Sequence, residues 1–243
     1  MGLKLMCVTA HPDDECFAFG GALALAAQRE IETYVVCLTD GQAATNRGDA
    51  ATGTALGAKR RDEFRRSCEV LGVTQHELMD YQDGRLESVE FPVAAGLLVE
   101  RIRRFQPDVV LTFGGDGGLN THTDHMMASM LTTAAFHWAG QEKRYSDLGA
   151  PHQAKRLYYV TAKFPLPDRP SPMMMPWTVT LDIRSVQDRK SEAFRQHTSQ
   201  APLIERTKDF FASHGAEEFY VLVATVEPQA ARQVTDLFEA LAD

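Results

Sequence analysis

Leu3-Lys4-Leu5-Met6-Cys7-Val8-Thr9 runs directly into Ala10-His11-Pro12-Asp13-Asp14-Glu15, and this junction decides how the chain is read. An apolar run of strand length ends abruptly in an imidazole, a proline and a row of carboxylates. Phe17 to Arg29 follows as an Ala- and Leu-rich helix. Ile31 to Leu38 is a second apolar run, closed by Thr39-Asp40-Gly41. Strand, loop, helix, strand is the rhythm of a parallel βαβ unit.

The rhythm continues outward from that unit. Arg60 to Leu71 reads as a helix with Phe64, Cys68 and Leu71 on one face and Gly72 as its C-cap. A short strand from Leu78 to Tyr81, a turn at Asp83-Gly84 and a helix from Val93 to Phe105 come next. Then follow a strand from Asp108 to Phe113, the Gly-rich stretch Gly114 to Leu119, and a helix from His122 to Trp138. Gln42 to Ala58 is rich in Gly, Ala and Thr without clear periodicity, and is a candidate mobile loop at the rim of the sheet. After Gly140 strand-like runs at Leu157 to Thr161, Trp177 to Ile183 and Phe219 to Thr225 alternate with helices and a Pro/Met-rich segment. The expected fold is α/β: a Rossmann-like, doubly wound, mostly parallel sheet flanked by helices. Extra strands and a cap come from the C-terminal part, and residues 1–243 read as a single domain.

Composition narrows the function. A net charge of −8 argues against nucleic acid or an anionic membrane surface as partner. No stretch approaches the roughly 18 apolar residues of a membrane span. The four cysteines, Cys7, Cys16, Cys37 and Cys68, form no CxxC pair, which suggests buried free thiols and a reducing, cytoplasmic setting.

In open parallel sheets functional groups collect in loops at the carboxyl ends of strands. Two such loops carry ligand-type residues here: His11, Asp13, Asp14 and Glu15 in the first, His122, Asp124 and His125 in the second. Alone, the first loop reads more simply as a helix start, and the histidine pair of the second as a surface feature or coincidence. Together, each after an apolar strand, they offer the mixed imidazole and carboxylate set that a catalytic zinc uses, with three protein ligands and one position for water. His11 and Asp14 are spaced to chelate one ion, and His125 can supply the third ligand. Asp13, beside Asp14, points elsewhere and is free to act as a general base. His122 and His125 share a helix side, so one can bind metal while the other, if cationic, stabilises an oxyanion. Two rivals stand against this reading. A non-catalytic sugar- or nucleotide-binding module lacks its G-x-G-x-x-G here, and a phosphoesterase usually needs two metals and more ligands.

Ala10-His11-Pro12-Asp13-Asp14-Glu15 and His122-Thr123-Asp124-His125 resemble the two signature motifs of the LmbE-like (PIG-L) de-N-acetylases. Similar too are Gly20-Gly21, Thr39-Asp40-Gly41, Arg60 to Glu63, Asp83-Gly84-Arg85-Leu86, Pro107 to Val110, and the late run Lys190, Ala193, His197, Ser199, Gln200. The resemblance spans roughly residues 4 to 200. It implies one zinc ion per chain on His11, Asp14 and His125, with Asp13 as general base. His122 becomes oxyanion stabiliser and proton donor to the leaving amine, and Asp124 orients a neighbouring histidine. Arg60 corresponds to a substrate-contacting position, against the alternative of a solvated basic helix face. Glu15 reads as structural at the helix start, Asp83 as a turn residue and His197 as a satisfied helix residue. Met173 to Pro176 has no counterpart in the family and is a candidate for shaping the pocket. The implied activity is removal of an acyl group, acetyl first, from a small N-acylated amino-sugar substrate, and the family often forms homo-oligomers. The expected pH profile has an acidic limb from Asp13 or the activated water and a basic limb from His122.

Overall fold

In the computed structural model, residues 2–118, 120–163, 175–228 and 232–241 are described. Lys4–Thr9 forms β1, and Leu5 to Val8 are each 0% exposed. Burial of consecutive residues means both strand faces are covered, as a parallel sheet inside helical layers requires. Further parallel strands are β2 (Glu32–Thr39), β3 (Gln75–Tyr81), β4 (Val109–Phe113) and β5 (Arg156–Thr161). Two more are antiparallel neighbours at one edge, β6 (Val179–Asp182) and β7 (Glu217–Thr225). The sheet order is β3-β2-β1-β4-β5-β7-β6.

Chain order therefore reverses between β1 and β4, which pair Leu5 with Val109, Met6 with Val110 and Cys7 with Leu111. Right-handed crossovers on either side of such a reversal send helices to opposite faces and leave a crevice beyond the carboxyl ends of these strands. The two ligand-rich loops follow the strands at this reversal, β1 and β4. Asp14–Phe17 (α1), Gly20–Gln28 (α2), Gly53–Leu71 (α3) and Gln187–Arg195 (α6) pack together, while Phe91–Phe105 (α4) packs against Thr123–Ala139 (α5). Ala201–His214 (α7) lies against α6. All four cysteines are buried free thiols, and among the described residues no helix is long and apolar enough to cross a membrane.

Two boundaries differ most from the sequence reading. The expected helix from Phe17 to Arg29 is two pieces, α1 and α2. The second starts where the Glu218 carboxylate, from β7, accepts from Gly21 N (2.6 Å) and Ala22 N (2.9 Å). A distant acid satisfies the helix start, so no local cap residue marks it. The Gln42-to-Ala58 loop is also shorter than expected, because α3 begins at Gly53 with Thr52 as N-cap, its hydroxyl accepting from Ala55 N (3.1 Å). Glycine lowers helix propensity, but Gly57 is required here: a Cβ would lie 2.5 Å from Asp40 Oδ2. Met173 and Met174 of the pocket-shaping candidate, and Leu119, lie outside the described residues.

Candidate active site

The donor atoms of His11, Asp14 and His125 all lie within 4.8 Å of one another, brought together from the ends of β1 and β4. Asp14 is the hinge of the group. Its Oδ2 accepts from His11 N (2.8 Å) and Ala10 N (3.2 Å), while its Oδ1 lies 3.2 Å from His125 Nε2. Burial opposes its charge, yet His125 and His11 outweigh burial and hold its carboxyl well below the usual range.

Each histidine has one nitrogen engaged away from the cluster. His125 Nδ1 lies 3.2 Å from Gly117 O and its ring stacks on Phe113 with centroids 4.0 Å apart, which directs Nε2 toward Asp14. Gly117 has φ +92, a backbone that L side chains rarely adopt, and this turn presents the carbonyl. His11 Nε2 lies 3.2 Å from Asp124 Oδ2 and 3.1 Å from Asp83 Oδ1, so its Nδ1 faces Asp14. Burial disfavours the His11 cation, but Asp124, Asp14 and Asp83 together raise its pKa well above the ordinary value. The outward nitrogens meet a carbonyl and carboxylates, the arrangement that fixes tautomers in metal-ligating histidines, and the donor set fits one divalent metal.

Asp124 serves both sides. Its carboxylate accepts from Gly84 N (2.7 Å), Leu86 N (3.1 Å) and His11, while its own N–H donates to His122 Nδ1 (3.1 Å). A backbone N–H can only donate, so His122 Nδ1 accepts and its neutral ring carries the proton on Nε2. Burial, with His11 and His125 close by, pushes the His122 pKa down to about 4. That corrects the expectation of a cationic His122: it is a neutral donor near pH 7, and the basic limb assigned to it has no support.

Asp13 occupies the N-cap position of α1 with φ 113 and no side-chain cap bond. Its Oδ2 lies 2.9 Å from Arg60 Nη2. Burial pushes its pKa up to about 6; Arg60 pulls it down and Asp14 pushes it further up. Arg60 is 2% exposed, and its guanidinium also donates to Pro12 O and, at 3.1 Å, to Gly41 O. Gly41 permits this approach, since a Cβ there would sit 2.1 Å from Nη1. The solvated basic face anticipated for this stretch belongs instead to Arg61, Arg65 and Arg66, whose side chains are 38%, 46% and 35% exposed.

Asp83 and His197 are more than the turn and helix residues expected. Asp83 holds His11, with its Oδ2 anchored by Ala43 N (2.9 Å). His197 Nε2 lies 2.7 Å from Glu15 Oε1 at full burial. The sequence signal was present in Asp83-Gly84-Arg85-Leu86 and in the late His197-to-Gln200 run, but both contacts span the fold.

A parallel-sheet scaffold with a two-histidine, one-carboxylate cluster at its switch point defines a metallohydrolase-type centre. The chain belongs to the PIG-L family, described as GlcNAc-PI de-N-acetylase, which matches residues 6–136. It is 32% identical over 177 residues to a mycothiol S-conjugate amidase of Streptomyces coelicolor, covering 65% of this chain and 60% of that protein. It is 28% identical to a 1D-myo-inositol 2-acetamido-2-deoxy-alpha-D-glucopyranoside deacetylase of Rhodococcus jostii, covering 97% of both chains. Its fold matches an N,N'-diacetylchitobiose deacetylase from Pyrococcus horikoshii at TM-score 0.75 and 22% identity, over 90% of this chain and 83% of that one.

Proposed function

We propose that the protein hydrolyses the N-acetyl amide of a glucosaminyl conjugate, using one zinc ion held by His11, Asp14 and His125. The carrying observation is the division of labour within the histidines: each has one nitrogen engaged by an outward partner and the other turned to Asp14. The deacetylase and amidase names of the relatives support the same reading.

When bound, zinc supplies Lewis acidity that activates water and polarises the amide carbonyl. Asp13 accepts a proton from the attacking water at the carboxylate oxygen that Arg60 leaves free, and a pKa near 6 suits it to that role near neutral pH. The water oxygen bonds to the carbonyl carbon while His122 Nε2–H donates to the developing oxyanion. The C–N bond then breaks, and Asp13 returns the proton to the departing nitrogen. Neutral His122 is a poor source for that proton, so Asp13 serves as base and then acid. Acetate and the free amino sugar leave.

The rivals fit less well. A phosphate would meet Asp13 and Asp14 where a nucleotide-binding loop offers N–H groups. A two-metal phosphoesterase needs a second donor set: the group of His11, His122 and Asp124 would have to share His11 with the first, and the cluster of Glu15, Cys16 and His197 is closed by its own ion pair. The test is metal analysis of purified protein, followed by incubation with N-acetylglucosaminyl inositol and N,N'-diacetylchitobiose, reading free amine and acetate. About one zinc per chain with amine release is expected from the single-metal site. Two metals with phosphatase activity, or tight sugar binding without metal or turnover, would overturn the reading.

A further inference from the structure

Asp13 has an unusual backbone. The other described non-glycine residues with positive φ, Glu30, Gln106, Tyr145 and Ala240, lie between 50 and 60, inside the ordinary left-handed well, whereas Asp13 lies at 113. Such a conformation persists only where its surroundings over-determine it. An aspartate at this position normally turns its carboxylate back onto the first helical N–H groups. Here the side chain makes no cap bond and meets Arg60 instead.

The turn is held from beneath by a buried carboxylate. Glu15 Oε2 accepts from Asp13 N (2.9 Å), and Glu15 Oε1 accepts from Ser67 Oγ (2.6 Å) and His197 Nε2 (2.7 Å). Glu15, Ser67 and His197 are each 0% exposed. His197 is itself located by α3, because Glu63 accepts from Thr198 Oγ1 (2.7 Å), Ser199 N (2.8 Å) and Ser199 Oγ (2.6 Å). Arg60, Glu63 and Ser67 recur at i, i+3 and i+7, so one buried polar stripe of α3 holds Asp13, the His197 turn and Glu15 respectively.

We propose that Glu15 and His197 are positioning residues for Asp13: His197 and Ser67 fix the Glu15 carboxylate, and Glu15 holds the Asp13 N–H so that the left-handed turn aims the Asp13 carboxylate at the reacting water. This rests on Asp13 being the general base.

The test uses the full chain loaded with zinc and four variants, His197→Leu, His197→Gln, Ser67→Ala and Asp13→Asn. Four quantities are read: zinc content, the Asp13 amide resonance, and kcat and KM on N-acetylglucosaminyl inositol. In His197→Leu zinc and KM stay near wild type while kcat falls about 10–100-fold, the scale of a small misplacement of a reacting group. Its Asp13 amide shifts upfield as the bond to the carboxylate weakens. His197→Gln, whose amide can donate to Glu15, recovers most of both. A folded, zinc-loaded His197→Leu with unchanged kcat and an unmoved Asp13 resonance overturns the proposal, as does a loss confined to KM. If His197→Leu does not fold, Ser67→Ala decides on the same criteria with a smaller drop. Asp13→Asn separates the two layers: wild-type turnover there would remove the general-base reading, while the amide resonance still reports whether His197 and Glu15 hold the turn. The resonance alone decides if wild type turns over no sugar offered.

Discussion

Arg60 Nη2 lies 2.9 Å from Asp13 Oδ2, and the same guanidinium donates to Pro12 O and Gly41 O. One buried cation thus ties the carboxylate, the peptide before it and the loop after β2. It also tempers the Asp13 pKa, which burial and Asp14 push upward. Arg60→Ala should raise that pKa above about 6, move the acidic limb of kcat/KM to higher pH and leave zinc bound. Breaking a buried pair also costs about 3–5 kcal/mol of stability. Arg60→Lys keeps the charge but loses the fork, so it should restore the limb more than the stability. A pH-rate series with thermal melts checks this; an unmoved acidic limb in Arg60→Ala would sever the link to Asp13.

Activity should be lost as pH falls through about 6, where Asp13 takes up a proton and can no longer accept one. His122 titrates near 4, so it is neutral across the working range. His122→Gln is therefore expected to reduce kcat by about 10²–10³-fold, the worth of one oxyanion donor. The basic limb should not move. A basic limb that vanished in the variant would return a cationic His122 to the mechanism.

His11→Ala, Asp14→Ala and His125→Ala should each lose most bound zinc with the fold intact, since on the proposed reading each removes one of three protein ligands. Asp124→Asn and Asp83→Asn remove charge behind His11, at 3.2 and 3.1 Å from its Nε2, and should weaken zinc about 10–100-fold. Competition with a chelator orders the set. Full affinity in Asp83→Asn would leave Asp124 as the sole anchor of His11.

The Glu15–His197 pair predicts a stability window. Burial disfavours both charges, yet each partner outweighs it: Glu15 is held below its ordinary 4.5 and His197 above its ordinary 6.5. The Glu15 contribution is present above 4.5 and fades as pH falls; the His197 contribution is present below 6.5 and fades as pH rises through the folded value. Between those two values both are present. The unfolding free-energy difference between wild type and His197→Gln should therefore peak between pH 4.5 and 6.5 and shrink toward pH 8. Denaturant titrations across that range test it, and a gap that widens from pH 6.5 to 8 contradicts it.

The parallel core and the contents of the two loops are legible in the order of residues alone. Buried parallel strands must be apolar throughout, so Leu5 to Val8 and Val109 to Phe113 announce themselves, and ligand chemistry accepts few residue types, so His11, Asp14 and His125 stand out beside them. What surrounds those loops is set by folding. Arg60 sits among Lys59 and Arg61 in the sequence and could have faced water; helix phase and the space left by Gly41 turned it onto Asp13. The charge state of His122 depends on burial and on two neighbouring histidines, and the start of α2 on an acid 197 residues away from Gly21. Glu15 and His197 are separated by 182 residues, and neither carries a local mark of the other. Periodicity and motif spacing encode contacts within a turn or a strand, whereas hydrogen bonds and desolvation act through space between segments that only folding brings together.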